Sequence, residues 1–177
     1  MKFALIHSDH SSFLSYQNDW LDALSEIDTF TKSYNLINMN IYQFHRVLKD
    51  FDYVIFLHST NSNGFKFSRL LRVFSNYLLL YRKAKVIFFV GNEYKLMPEK
   101  INFLRINKID FVVSQYPKEV ADWLYQDTEA KILSLPFALN PKSFFPQKSY
   151  KNRTIDIGSR QYLYPSYLGD NIRNELL

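Results

Sequence analysis

Short apolar runs alternate with longer amphipathic segments along the first 135 residues, and this alternation constrains the fold more than any other feature. The runs at 53–57 (Tyr-Val-Ile-Phe-Leu) and 85–90 (Lys-Val-Ile-Phe-Phe-Val) are typical of strands that are buried on both faces of a parallel sheet. The predicted strands are 2–6, 34–39, 52–58, 85–90, 109–114 and 131–135. The predicted helices between them are 13–27, 41–49, 65–83, 98–108 and 117–125. This order predicts an α/β fold with a Rossmann-like parallel β-sheet sandwiched by helices.

The residue types that are missing exclude several kinds of site. The chain of 177 residues has no cysteine, which excludes disulfides, thiolate nucleophiles and zinc–thiolate centres. Its four glycines form neither a dinucleotide-binding Gly-x-Gly-x-x-Gly motif nor a P-loop. No predicted helix carries His, Asp and Glu at a metal-ligand spacing. We therefore expect neither a cofactor nor a metal.

The amino terminus shows no sign of a targeting segment. Its apolar run ends at Asp9 and is too short for the core of a signal peptide. No stretch approaches the ~18 apolar residues that a spanning helix needs. We expect a soluble, cytoplasmic protein.

Positive charge is concentrated between residues 65 and 108. This range holds ten Lys or Arg and two Glu, a balance of +8 within a chain whose net charge is +5. Such a region favours anionic partners, namely phosphate groups, nucleic acid or an anionic membrane surface, and ordinary solubilising charge is the alternative. The predicted 65–83 helix is basic with a wide apolar surface, as in helices that lie on membranes, although burial between neighbouring helices explains the same pattern.

Polar side chains follow several of the predicted strands, at the edge where parallel sheets bind ligands. Together these loops are rich in groups that hydrogen-bond hydroxyls, so they suit a sugar-like acceptor. The alternative is that they are ordinary polar turns and caps. The candidate acceptor-binding residues are His58, Asn61, Asn63, Asn92 and Gln115.

Two loops carry residues that could act as the general base that deprotonates an acceptor hydroxyl. His7, Asp9 and His10 follow the first predicted strand, and a group with a pKa near neutrality can take a proton from an acceptor hydroxyl. Glu93, which follows the most apolar strand, is the rival base. The structural alternatives are that Asp9 caps the next helix, that His7 is a core residue and that Glu93 is a surface carboxylate.

The sequence changes character after residue 135. Three prolines and a polar run fill 136–153, and 154–158 then reads as a new short strand. We therefore predict a Rossmann-like domain over 1–146, a linker over 147–153 and the start of a second domain over 154–177. One strand and part of a helix bury too little surface to be stable alone.

This carboxyl-terminal third resembles GT-B glycosyltransferases. The segment 135–146 (Leu-Pro-Phe-Ala-Leu-Asn-Pro-Lys-Ser-Phe-Phe-Pro) is similar to the one that closes their amino-terminal domain, and 154–160 (Thr-Ile-Asp-Ile-Gly-Ser-Arg) to the first strand of their donor domain. Two departures are Ala138 for the usual glycine and Asn140 for the usual acid. The residues after 160 resemble a bacterial, spore-maturation-like branch of the family.

The resemblance implies the amino-terminal, acceptor-side half of an enzyme that transfers a sugar from a nucleotide sugar, without a metal, to a glycan or lipid-linked acceptor in bacterial surface polysaccharide biosynthesis. It implies that Arg160 contacts the donor diphosphate. We expect the chain alone to bind an acceptor without turnover, in the cytoplasm or peripherally at the inner face of the membrane. The alternative is a non-catalytic Rossmann-like docking module on an anionic partner or membrane, whereas a nucleic-acid partner is disfavoured because no single-strand stacking signature accompanies the basic region.

Overall fold

The computed structural model has an α/β fold built on one parallel sheet. It describes residues 1–8, 15–26, 31–62, 64, 67, 68, 70 and 81–136. The chain divides into two units, Met1–Asn140 and Pro141–Leu177, and the sheet belongs to the first. The predicted linker over 147–153 and the predicted second domain over 154–177 lie outside the described residues.

Six strands form the sheet, and every pair of neighbours is parallel. The strands are β1 (Phe3–His7), β2 (Thr31–Asn35), β3 (Tyr53–Phe56), β4 (Lys85–Phe89), β5 (Phe111–Ser114) and β6 (Lys131–Ser134). Their order across the sheet is β2-β1-β3-β4-β5-β6. The predicted Rossmann-like α/β fold is therefore confirmed.

Helices connect the strands, as the alternating pattern predicted. Those with complete bounds are α1 (Ser15–Ser25), α2 (Ile41–Asp50), α3 (Met97–Ile106) and α4 (Lys118–Leu124). Within the predicted 65–83 helix, the described residues 67, 68 and 70 are helical. Among the residues that the structure describes, no helix is long and apolar enough to cross a bilayer.

The strand order explains which face each helix covers. From β1 to β2 the chain moves towards one edge of the sheet, and each later connection moves it towards the other edge. Because parallel crossovers are right-handed, α1 must lie on one face and the later helices on the opposite face. The two cores agree: Trp20 and Leu24 of α1 pack with Leu5 and Ile55 on one face. The core on the other face includes residues of α2, α3 and α4.

Phenylalanine rings fill the larger core. Phe56 lies 6.0 Å from Phe44 and 5.7 Å from Phe88, measured between ring centroids. Phe103 continues the series at 5.5 Å from Phe88 and 5.9 Å from Phe67. Each fully buried aromatic or aliphatic side chain of this size stabilises the fold by about 1.5–3 kcal/mol. These rings fix α2 and α3 against the sheet and so position the loops at its edge.

The prediction for β2 was displaced by three to four residues along the sequence. The strand is Thr31–Asn35 rather than 34–39. Leu36 and Met39 are buried, but they lie in the turn before α2 and pack into the larger core. Their burial, rather than pairing in the sheet, produced the apolar signal. The other predicted strands overlap the observed ones and differ only at their ends.

Candidate functional site

The carboxyl ends of the strands meet at the edge where the sequence predicts a site. The chain reverses its direction across the sheet between β1 and β3, and open α/β sheets bind ligands at such switch points. The loops after these strands are joined there. The Leu57 N–H donates to the Ile6 carbonyl oxygen at 2.9 Å, and the Ser8 N–H donates to Ser59 Oγ at 3.1 Å.

The loop after β3 is tightly folded and buried. Within this loop, His58–Thr60 form a 3-10 turn. Asn61 has no exposed surface and uses both ends of its side-chain amide. Its Nδ2 donates to the Phe89 carbonyl oxygen at 2.9 Å, and its Oδ1 accepts from the Gly91 N–H at 2.7 Å. Asn61 therefore fastens the loop after β3 to the end of β4.

Gly91, in the loop after β4, must be small. A Cβ on Gly91 would lie 2.6 Å from the His58 carbonyl oxygen, which no side chain can accommodate without movement of the backbone. Asn92 follows with a left-handed backbone at φ 48°, and its Nδ2 donates to the Ser62 carbonyl oxygen at 2.5 Å. The loops after β3 and β4 are thus packed and hydrogen-bonded as one body.

A buried lysine holds the same loop from the helix behind it. Lys100 in α3 has no exposed surface, and its Nζ donates to the carbonyl oxygens of Gly91 and Asn92. Burial lowers the pKa of Lys100 from its ordinary 10.5 to about 8, and the nearby Glu93 carboxylate opposes this shift. A neutral amine keeps two N–H donors, so Lys100 can satisfy both carbonyls whether or not it is charged.

The carboxylate of Glu93 is the centre of a second buried network. Its Oε1 accepts from the Ser114 hydroxyl at 2.6 Å and from the Tyr125 hydroxyl at 2.5 Å. Its Oε2 accepts from the Gln115 N–H at 2.9 Å. Burial, followed by the Glu93 charge, raises the pKa of Tyr125 above its ordinary value, so the phenol remains a donor. Glu93 therefore joins the loop after β4 to the end of β5.

A small cavity lies beside these networks, on the face of the sheet that α1 covers. Its volume is about 10 Å³, roughly the space of one water molecule. Trp20, His58, Phe89 and Gln115 are among the residues that line it. The Trp20 ring meets the Phe89 ring edge-on at 5.1 Å. The Trp20 and Phe89 rings thus form an apolar side of this cavity.

The structure separates the candidate acceptor residues into two groups. His58 and Asn61 are buried, and Asn61 is consumed by bonds that hold the loops together. Asn92 and Gln115 are half-buried and keep exposed surface. Asn63 lies outside the described residues. The predicted proximity of the loops is confirmed, whereas their role in binding an acceptor stays a prediction.

The candidate bases have different surroundings. His7 ends β1 at the switch point and is half-buried, while Asp9 and His10 lie outside the described residues, as does Arg160. Glu93 is 7% exposed, so the interpretation of it as a surface carboxylate was wrong. Because both of its oxygens accept from protein donors, its geometry favours a positioning role over proton transfer.

Sequence reasoning missed Lys100 and Tyr125. A signal for each was present: Lys100 occupies the same stripe of α3 as Phe103 and Leu104, and Tyr125 follows buried Ala121 by four residues. A polar group at an apolar position of a helix indicates a buried hydrogen-bond partner. That partner could not be identified from sequence, because Tyr125 and Glu93 are 32 positions apart.

Among the residues with described coordinates, no group of three or more His, Asp or Glu side chains is placed to hold a metal ion. No protein-family model, curated protein or solved structure matches the chain.

Proposed function

We propose that the chain is the acceptor-side domain of a nucleotide-sugar-dependent glycosyltransferase. The observation that carries the proposal is the convergence of the polar loops after β1, β3, β4 and β5 at the switch point of a parallel sheet. The sequence pattern over 135–146 and 154–160 supports the same interpretation. Fold alone would not, because Rossmann-like sheets host many functions.

The proposed reaction has a simple balance of bonds. An acceptor hydroxyl oxygen bonds to the anomeric carbon of the donor sugar, and the bond from that carbon to the diphosphate breaks. The electron pair leaves with the nucleoside diphosphate, and the hydroxyl proton passes to a base. His7 is the described candidate for that base because it ends β1 beside the switch point. Asp9, His10 and, for the diphosphate, Arg160 complete the proposed set.

The described residues then take two kinds of role. Gln115 and Asn92 keep exposed surface at the edge and would hydrogen-bond acceptor hydroxyls. Asn61, Lys100 and Glu93 act through the backbone that they fix. A rigid edge lowers the conformational entropy lost when an acceptor is ordered, so a preorganised set of few contacts can still be selective.

Amide NMR on the whole chain tests acceptor binding. The probes are chitotriose, maltotriose and an undecaprenyl-phosphate-linked sugar in detergent, each titrated to millimolar concentration. We expect shifts that saturate for Ser8, Asn92 and Gln115. Gln115→Ala should weaken binding several-fold, because one buried hydrogen bond contributes about 0.5–1.5 kcal/mol. Gln126→Ala is the matched control, since Gln126 is an exposed amide just beyond the far end of α4.

Two results would overturn the proposal. One is the absence of saturating shifts at the carboxyl edge with every sugar probe. The other is equal weakening by Gln115→Ala and Gln126→Ala, which would show that the sugars do not use this edge. Binding of anionic vesicles without any response to sugars would favour the docking module in its place.

A further inference from the structure

The opposite edge of the sheet has a different chemistry. A groove of about 640 Å³ runs along the amino ends of β4, β5 and β6. Its cationic lining residues are Arg82, Lys83, Lys85, Lys108 and Lys131, and its acids are Asp110 and Glu129. The sheet register places them together, because Phe111 pairs with Ile87 of β4 and with Lys131 of β6.

Asp110 does not neutralise the lysines of this groove. Its Oδ2 accepts from Arg82 Nη2 and from the Val86 N–H, each at 2.8 Å. The Arg82 side chain is only 10% exposed and also donates to the carbonyl oxygens of Asn107 and Lys108. Arg82 and Asp110 thus form an internal pair that fixes the turn before β5.

Four lysines remain, and they face a single acid. Lys83, Lys85, Lys108 and Lys131 are all exposed. Among the described lining residues, subtracting Glu129 leaves an excess of three positive charges around the groove. Lys108 has a left-handed backbone at φ 46°, and the Arg82 bond to its carbonyl oxygen holds the turn in place. The lysines therefore project from a fixed frame rather than from a mobile loop.

The shape of the groove selects among anions. The groove is open to solvent, and its volume falls within the roughly 300–1,000 Å³ of small-molecule sites. A single nucleic-acid strand needs several aromatic platforms for stacking, but Phe111 is the one aromatic side chain among the described lining residues. Several phosphate groups on a small molecule match several lysines.

We propose that this groove binds a small molecule carrying two or more phosphate groups. The site lies at the other end of the strands from the proposed acceptor site and does not depend on it. Lysines on three neighbouring structural segments contact separate phosphates, while Ala84 and Ile109 form the apolar floor.

Calorimetric titration of the whole chain with inorganic triphosphate at about 0.15 M salt, a physiological ionic strength, tests the proposal. We expect saturable binding that is much tighter than that of inorganic phosphate. Lys85→Gln with Lys131→Gln should weaken it by about tenfold or more, since charge-assisted bonds are lost. Lys32→Gln with Lys95→Gln makes the same change in net charge away from the groove and should alter binding less than about twofold.

Equal weakening in the two double variants, or no binding of triphosphate to the wild-type chain, would overturn the site. Tighter, groove-dependent binding of a thymidine oligonucleotide or of phosphatidylglycerol vesicles would also overturn it, because the groove would then serve a polymer or a membrane. Circular dichroism of each variant serves as the control for folding. Gln115→Ala should leave triphosphate binding unchanged, so the two proposals succeed or fail separately.

Discussion

Replacing Tyr125 with phenylalanine tests whether the Glu93 network holds the carboxyl edge together. The substitution keeps the ring, which is 1% exposed, and removes only the hydroxyl that donates to Glu93 Oε1 at 2.5 Å. The Ser114 hydroxyl then remains as the side-chain donor to that oxygen. A hydrogen bond to a charged group contributes about 1.5–3 kcal/mol. We therefore expect Tyr125→Phe to lower the free energy of unfolding by about 2 kcal/mol.

Urea unfolding followed by tryptophan fluorescence measures this change. The two tryptophans, Trp20 and Trp123, both belong to the unit that contains the sheet, so the signal reports on that unit. The midpoint should fall without a change in slope, because the surface exposed on unfolding is the same. Tyr42→Phe is the control, since Tyr42 is 83% exposed and should stay within about 0.5 kcal/mol of wild type.

A double variant sharpens the test. Ser114→Ala with Tyr125→Phe removes both side-chain donors from Glu93 Oε1 and should lose more stability than the two single variants together, because they share one acceptor. Additive effects, or a loss in Tyr125→Phe no larger than that in Tyr42→Phe, would refute the reasoning. Either result would mean that the carboxylate is satisfied by other means.

Two further predictions concern the loop after β4. Gly91→Ala should destabilise the fold by about 1–3 kcal/mol, as overpacking does. Gly64→Ala is the control and should be neutral or stabilising, because its Cβ would meet nothing closer than Leu96 Cδ1 at 3.6 Å. Equal urea midpoints for the two variants would contradict this prediction. Between pH 8 and 10.5, Lys100 is protonated in the unfolded chain but has lost its proton in the folded chain, so folding is favoured as the pH rises. From pH 7.5 to pH 9.5, the free energy of unfolding of the wild type should therefore rise by about 2 kcal/mol relative to that of Lys100→Met. Parallel pH profiles for the two proteins would refute the assigned pKa.

The fold could be predicted because its central strands are buried on both faces. The runs at 53–56 and 86–89 consist of apolar and aromatic residues and have few other interpretations. β2 is an edge strand with the sequence Thr-Lys-Ser-Tyr-Asn, so partial exposure removes that signal. The apolar pair Leu36 and Met39 then drew the prediction towards the following turn. The error in the strand prediction thus occurs where an exposed edge strand is followed by buried residues that do not pair in the sheet.

The candidate site could be predicted only in outline. Topology brings the ends of parallel strands together, and this rule identified the loops without any contact information. It could not show which polar groups are used within the fold. The partners of Asn61 and Glu93 lie 21 to 32 positions away along the chain, and hydrogen bonding over such distances leaves no local pattern.

The two edges of the sheet differ in how their polar groups are satisfied, and this difference separates their proposed functions. At the carboxyl edge, Asn61, Glu93 and Lys100 bond to protein groups, so a ligand there must use what remains, chiefly Gln115 and Asn92. At the amino edge, the side chains of Lys83, Lys85, Lys108 and Lys131 are exposed beside the internal Arg82–Asp110 pair. A five-residue strand separates the edges by roughly 15 Å, beyond the screening length of about 8 Å at physiological ionic strength. The charges of these exposed lysines are therefore largely screened from the carboxyl edge, and strong coupling between the two proposed sites would have to pass through movement of the strands themselves.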